Sequence, residues 1–141
     1  PVRSRYVITE LRGAGTGTNT PFSFGVNGSK VQIGFEISGS FEKKTSTASL
    51  SIATEYVLGV TIDSNTVKIY INGVLDSTQT LTVTTGARNV GVSNSHFNIG
   101  VGVKASNSLA DYLNGRCSGV LISDGVFNDA AMLDISTNYS F

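Results

Sequence analysis

A chain of 141 residues, 40% apolar and 14% charged, is long enough to bury its own core as one domain without disulfides or a structural metal. Ten basic and ten acidic side chains cancel to a net charge of zero, which argues against the clustered Lys and Arg of a nucleic-acid binder. No apolar stretch approaches the ~18 residues of a membrane span, so membrane insertion is not expected, and the single cysteine, Cys117, excludes an intrachain disulfide.

Gly, Ser, Thr and Asn fill much of the remainder, a mixture suited to strands and turns rather than helices. The opening residues carry no secretory-signal pattern. The first residue is Pro rather than Met, so the numbering is expected to begin at a processed or trimmed start. Residues 1–141 read as one domain.

Tyr6 to Leu11 alternates as a first strand, and Arg12 to Thr20 is a Gly/Thr loop. Phe22, Phe24 and Val26 alternate with Ser23 and Gly25. Asn27-Gly28 signals a hairpin, because both positions of such a turn favour φ > 0. The return strand sets Val31, Ile33, Phe35 and Ile37 on one face and Gln32, Gly34, Glu36 and Ser38 on the other. That period of two marks a half-buried antiparallel strand. Gly39 to Thr47 reads as a polar loop with Lys43-Lys44 at a solvated tip, and Leu50 with Ile52 as a short strand.

The central pair runs Val57 to Ile62 and Thr66 to Ile71, joined by a turn near Asp63-Ser64-Asn65. Leu58, Val60 and Ile62 form one row and Val67, Ile69 and Ile71 the opposing row. Asn72-Gly73 turns the chain again, and Val74-Leu75 continue outward. Leu81 and Val83 alternate with Thr80, Thr82 and Thr84. Phe97, Ile99, Val101 and Val103 alternate with Asn98, Gly100, Gly102 and Lys104, where the interior glycines mark a bulge or a close backbone approach. Ala105 to Asn114 reads as a polar loop and Gly115 to Ser123 as a last strong strand. Asn128 or Asp129 caps a short helix through Leu133, since a side-chain oxygen there accepts from a free backbone N–H. The summed pattern of nine or ten short strands predicts an all-β fold: a two-sheet antiparallel β-sandwich with one short C-terminal helix.

The segment from Val60 through Thr61-Ile62-Asp63 to Tyr70-Ile71-Asn72-Gly73 resembles a concanavalin A-like jelly-roll domain of the laminin G/pentraxin type. In that superfamily a strand ending Thr-x-Asp turns into one ending Tyr-x-Asn-Gly. Phe97-Asn98-Ile99-Gly100 resembles the family's short strand ending Ile-Gly. Leu113-Asn114-Gly115-Arg116, followed by Gly119-Val120-Leu121-Ile122, resembles its final strand, and the helix after Asp129 its closing turn. The likeness covers roughly residues 5–135. Two departures stand out. The family opens with a strand holding a buried Trp, and this chain has no Trp. That strand is expected to be missing, replaced or supplied by a neighbour packed along Val2 to Leu11. The family's calcium ligands also find no clear counterparts.

Glycosidases of this fold place two carboxylates at alternate strand positions, so that acid and nucleophile flank one bond at ~5 Å. No such spacing occurs here, and Glu36 and Glu42 fall on different elements across Gly39. His96 has no His, Cys or carboxylate at ligand spacing and reads as a loop histidine facing solvent. Cys117 reads as a small buried apolar residue. Gly13-Ala14-Gly15-Thr16-Gly17 lacks the Lys and helix of a phosphate cradle. Asp63, Asn65 and Asn72 read as turn chemistry, with calcium ligation as the alternative. Tyr70 reads as core, with a sugar-stacking platform as the alternative. Tyr112, beside Asp111 and Asn114 in a polar loop, is the better exposed aromatic.

Binding sites concentrate in loops at the ends of such sandwiches. The candidate ligand-binding residues are therefore Asp111, Tyr112 and Asn114, with Arg88 and His96 as neighbours. No catalytic residues, metal or cofactor are expected. The resemblance and the neutral polar composition lead us to expect a non-catalytic recognition or assembly module of a larger extracellular or virion particle. Its candidate forms are a phage tail-fibre, tail-spike or capsid-decoration domain. Protein neighbours, including copies of itself, and a cell-surface glycan are the expected partners. A free-standing carbohydrate-binding module is the alternative, and a glycoside hydrolase a more distant one.

Overall fold

Most of the strands form where apolar residues alternate. In a computed structural model, which describes residues 5–12, 22–37, 40–82, 96–103, 109–110 and 112–138, the strands are β1 (Arg5–Arg12), β2 (Phe22–Asn27), β3 (Lys30–Ile37), β4 (Ser40–Thr45), β5 (Leu58–Asp63), β6 (Thr66–Ile71), β7 (Val74–Thr80), β8 (His96–Ile99), β9 (Gly102–Val103) and β10 (Leu109–Ala110), followed by helix α1 (Asp129–Asn138). A five-stranded sheet has the order β4-β3-β2-β1-β8, a three-stranded sheet the order β5-β6-β7, and β9 pairs with β10 alone. Every pairing is antiparallel.

The core lies between the two larger sheets. Phe24, Val31, Ile33 and Phe35 from one meet Val67 and Ile69 from the other, with Leu81 just past β7, and Phe22, Leu50, Leu58, Val60, Ile62 and Ile71 pack around them. The predicted rows of the central pair are observed: Leu58 lies opposite Ile71, Val60 opposite Ile69 and Ile62 opposite Val67. Directly opposed residues share a face, so this register delivers a continuous apolar row to the core. Asn72 and Gly73 both take positive φ, +53° and +75°, as a tight turn of this kind requires.

Several expectations are corrected. Asn27 pairs with Lys30, so the turn residues are Gly28 and Ser29, one position later than predicted, and of the two only Gly28 has positive φ. The polar loop expected over Gly39–Thr47 contains strand β4, paired with β3 from Gln32↔Thr45 to Ile37↔Ser40. Its Glu42, Lys43 and Lys44 are what an edge strand carries to discourage pairing with other chains. Lys44 is accordingly no loop tip, and forms a 3.0 Å ion pair with Glu42. No strand forms at Leu50–Ile52: Leu50 donates its N–H to the Ser29 carbonyl at 2.6 Å, and Ile52 is 92% exposed.

The strand expected through Phe97–Val103 breaks at Gly100, whose φ of +75° is left-handed and rare in strands. Before the break β8 pairs with β1; after it β9 pairs with β10, which lies inside the expected Ala105–Asn114 loop. His96 is therefore the first residue of a strand rather than a loop residue. Gly115–Ser123 forms no strand, since no described strand lies beside it and an unpaired strand leaves its ladder groups without partners. Cys117, within it, is exposed rather than buried. Strand β1 is no open edge, because β2 and β8 flank it on both sides. Residues 13–20, Val83 and Lys104 lie outside the described residues.

Candidate functional site

Glu42, Asp76 and Asp129 use their carboxylates to tie distant parts of the fold together. Strand β4 and strand β7 run along the same flank of the sandwich, and side chains stitch them. Glu42, opposite the buried Phe35, accepts the Thr82 N–H on both oxygens, at 2.9 and 3.1 Å. Asp76 of β7 accepts the N–H groups of Thr47 and Ala48 at 2.6 and 2.8 Å. Gln79 Nε2 donates to the Thr45 carbonyl at 2.6 Å, and Lys30 donates to that of Thr47. These contacts bind backbone groups that edge strands leave without ladder partners.

Helix α1 covers the outer face of the three-stranded sheet. Asn128 is its N-cap, its Oδ1 accepting the Ala131 N–H at 2.8 Å, which settles the predicted choice between Asn128 and Asp129. The helix runs on to Asn138, past the predicted end at Leu133. Two glycines let it approach. A Cβ on Gly59 would lie 2.2 Å from the Met132 methyl, and one on Gly73 would lie 2.8 Å from Leu133 Cα and 2.9 Å from the Met132 carbonyl. Asp129 then ties the helix start to Lys68 and Tyr70 on β6. Tyr70 is fully buried, as expected of a core residue, but beneath the helix rather than between the two sheets. Burial chiefly raises its pKa, while the hydrogen bond from Lys68, and then that from Tyr70, holds the Asp129 carboxyl below its ordinary value.

Of the predicted binding residues, Tyr112 is 48% exposed and Asn114 is exposed. Asp111 and Arg88 lie outside the described residues. The intervening Leu113 anchors this segment, its N–H donating to the Gly100 carbonyl at 2.7 Å. His96 opens β8, at the end away from Gly100. Downstream, Leu121, Ile122 and Val126 are 54%, 63% and 54% exposed. Residues 112–126 thus present an aromatic and three aliphatic side chains to solvent from a strandless stretch.

A second set of polar groups escaped the sequence reading. The register aligns Asn98, Glu10, Ser23, Gly34 and Lys43 in one row across the five-stranded sheet. Ser23 and Gln32 are buried at 5% and 8% exposure, and Asn98 Nδ2 is buried without a hydrogen-bond partner among the described residues. The signal of this set lies in the polar phase of the alternation, where Ser23 and Gln32 stand between the apolar positions.

Among the described residues no three His, Cys, Asp or Glu cluster as a metal site would require. Asn72, weighed as an oxygen ligand, uses its Oδ1 to accept the Val57 N–H at 2.9 Å, which is turn-locking chemistry.

The sequence profile of the concanavalin A-like lectin/glucanases superfamily, laminin G type, matches residues 1–131. The chain belongs to that superfamily, whose fold is the two-sheet sandwich described above. No curated protein matches it. Among solved structures it is similar to an S-layer domain-containing protein (residues 221–444) from Clostridium thermocellum, at 18% identity and a TM-score of 0.47. That alignment covers 96% of this chain and 64% of the other.

Proposed function

We propose that this chain is a non-catalytic recognition or assembly module of a larger extracellular or virion particle, contacting a protein neighbour or a glycan through residues 112–126. The observation that carries this reading is the exposure of Tyr112, Leu121, Ile122 and Val126 along one stretch of chain. Contiguous exposed apolar surface marks contact sites, and aromatic residues are enriched in them. Membership of a lectin-containing superfamily supports a glycan as ligand. The engagement of Glu42, Asp76 and Asp129 in backbone and helix contacts supports a non-catalytic role. Glycan-array and neighbour-capture measurements on the wild type and Tyr112→Ala test it. Binding lost in the variant at unchanged melting temperature supports the reading. Unaffected binding removes the 112–126 site, and reproducible glucan or galactan turnover abolished by Glu36→Gln overturns the non-catalytic assignment.

A free-standing carbohydrate-binding module is the second reading, favoured by Asn98 Nδ2. A buried amide donor without a partner among the described residues is costly, and turning the side chain outward would offer it to a ligand hydroxyl. Sugar binding that survives Tyr112→Ala but is lost in Asn98→Ala would select it.

A further inference from the structure

We propose that residues Arg116–Asp124 form a strand by pairing antiparallel with the same segment of a second copy, about a two-fold axis through Val120. This rests on the assembly half of the preceding reading and names the partner. The segment carries the β-branched, apolar run Val120-Leu121-Ile122 that favours a strand, yet the structure gives it no strand neighbour among the described residues. Leu121 and Ile122, adjacent in sequence, are both more than half exposed, so neither face of the segment is covered there.

The choice of a second copy comes from charge. In an antiparallel pair centred on Val120, Arg116 of one chain lies opposite Asp124 of the other, and the axis repeats that pair at the far end. Arg116, Ser118, Val120, Ile122 and Asp124 share one face, because strand residues alternate. That face would carry Ile122 and Val120 from each copy at its centre and an Arg–Asp pair at each rim. Opposite charges directly across a strand pair stabilise it, and like charges oppose it. Neither Arg116 nor Asp124 makes an ion pair with another described residue. Self-complementary contact of this kind is what a two-fold dimer requires, and strand addition supplies the backbone partners the segment lacks. The pairing also places Cys117 opposite Ser123, so Cys117 does not face its own copy.

Sedimentation of the full chain at micromolar concentration tests this, with two sets of variants. The expected result is a wild-type dimer weakened roughly ten-fold or more by Arg116→Asp or Asp124→Arg alone, since the axis doubles each repulsion. The double exchange Arg116→Asp/Asp124→Arg restores it. In a Cys117→Ser background, Val120→Cys forms an intermolecular disulfide on mild oxidation, as opposed strand positions permit; wild-type Cys117 does not. A monomer up to about 100 µM, beyond any specific dimer worth the name, overturns the proposal, as does a dimer indifferent to the single exchanges. A monomer that still loses ligand in Tyr112→Ala would sink the dimer and leave the recognition reading standing.

Discussion

The Tyr70 phenol and the Asp129 carboxylate meet at 2.8 Å, joining the end of β6 to the first residue of α1. Lys68 reaches the same oxygen at 2.8 Å. This small network fixes where the helix crosses the sheet, and Gly59 and Gly73 let it settle there.

The network makes helix docking sensitive to acid. The Asp129 pKa is lowered in the folded chain, first by the Lys68 hydrogen bond and then by Tyr70. Its contribution is present above the unfolded carboxylate pKa and is lost as pH falls through the folded value. Lys68, whose pKa is raised by Asp129, contributes below its unfolded value and loses that contribution only in strong alkali. The protection of amides within Asp129–Asn138 against hydrogen exchange, with the intrinsic pH dependence divided out, should therefore fall below about pH 4 in the wild type. Asp129→Asn should flatten that dependence, and an identical acid profile in the variant would refute the link.

Gly73→Ala should dislodge the helix, and Gly59→Ala should disturb it less. At Gly73 the added Cβ meets Leu133 and Met132 backbone, on a residue with φ of +75°, so overpacking of about 1–3 kcal/mol adds to conformational strain. At Gly59 it meets the end of the Met132 side chain, which can rotate away. Thermal unfolding of the two variants compares them, and equal losses would count against this account.

Ile69→Ala should destabilise the fold by about 2–5 kcal/mol. Ile69 is fully buried and lies opposite Val60. Denaturant unfolding measures the loss, and an unchanged midpoint would mean that the register is displaced by one residue, because such a slip exchanges the two faces.

Asp76→Ala should cost about 1 kcal/mol, the net worth of a hydrogen bond at a solvent-exposed site, and should loosen the chain after β4. Faster amide exchange at Thr47 and Ala48 is the specific sign. A general rise in exchange across all strands would point instead to global destabilisation.

The sequence alone determined the alternating core strands, the central pair with its rows, the Asn72-Gly73 turn, the buried Tyr70, the capped helix and the superfamily. Each rests on a local signal: a period of two, a turn that needs positive φ, a side chain that caps a free N–H. Only the tertiary structure decided that charged Ser40–Thr45 is a strand, that β1 lies inside its sheet and that apolar Gly115–Ser123 is not a strand. Pairing depends on what lies alongside, and neither hydrophobicity nor charge reports a neighbour. Strand β4 borrows its order from β3, whereas Gly115–Ser123 has the composition of a strand and no described partner to complete its hydrogen bonds. The candidate site divides the same way, since the sequence pointed to Tyr112 as exposed while the polar row through Asn98 and Ser23 is assembled by cross-strand register.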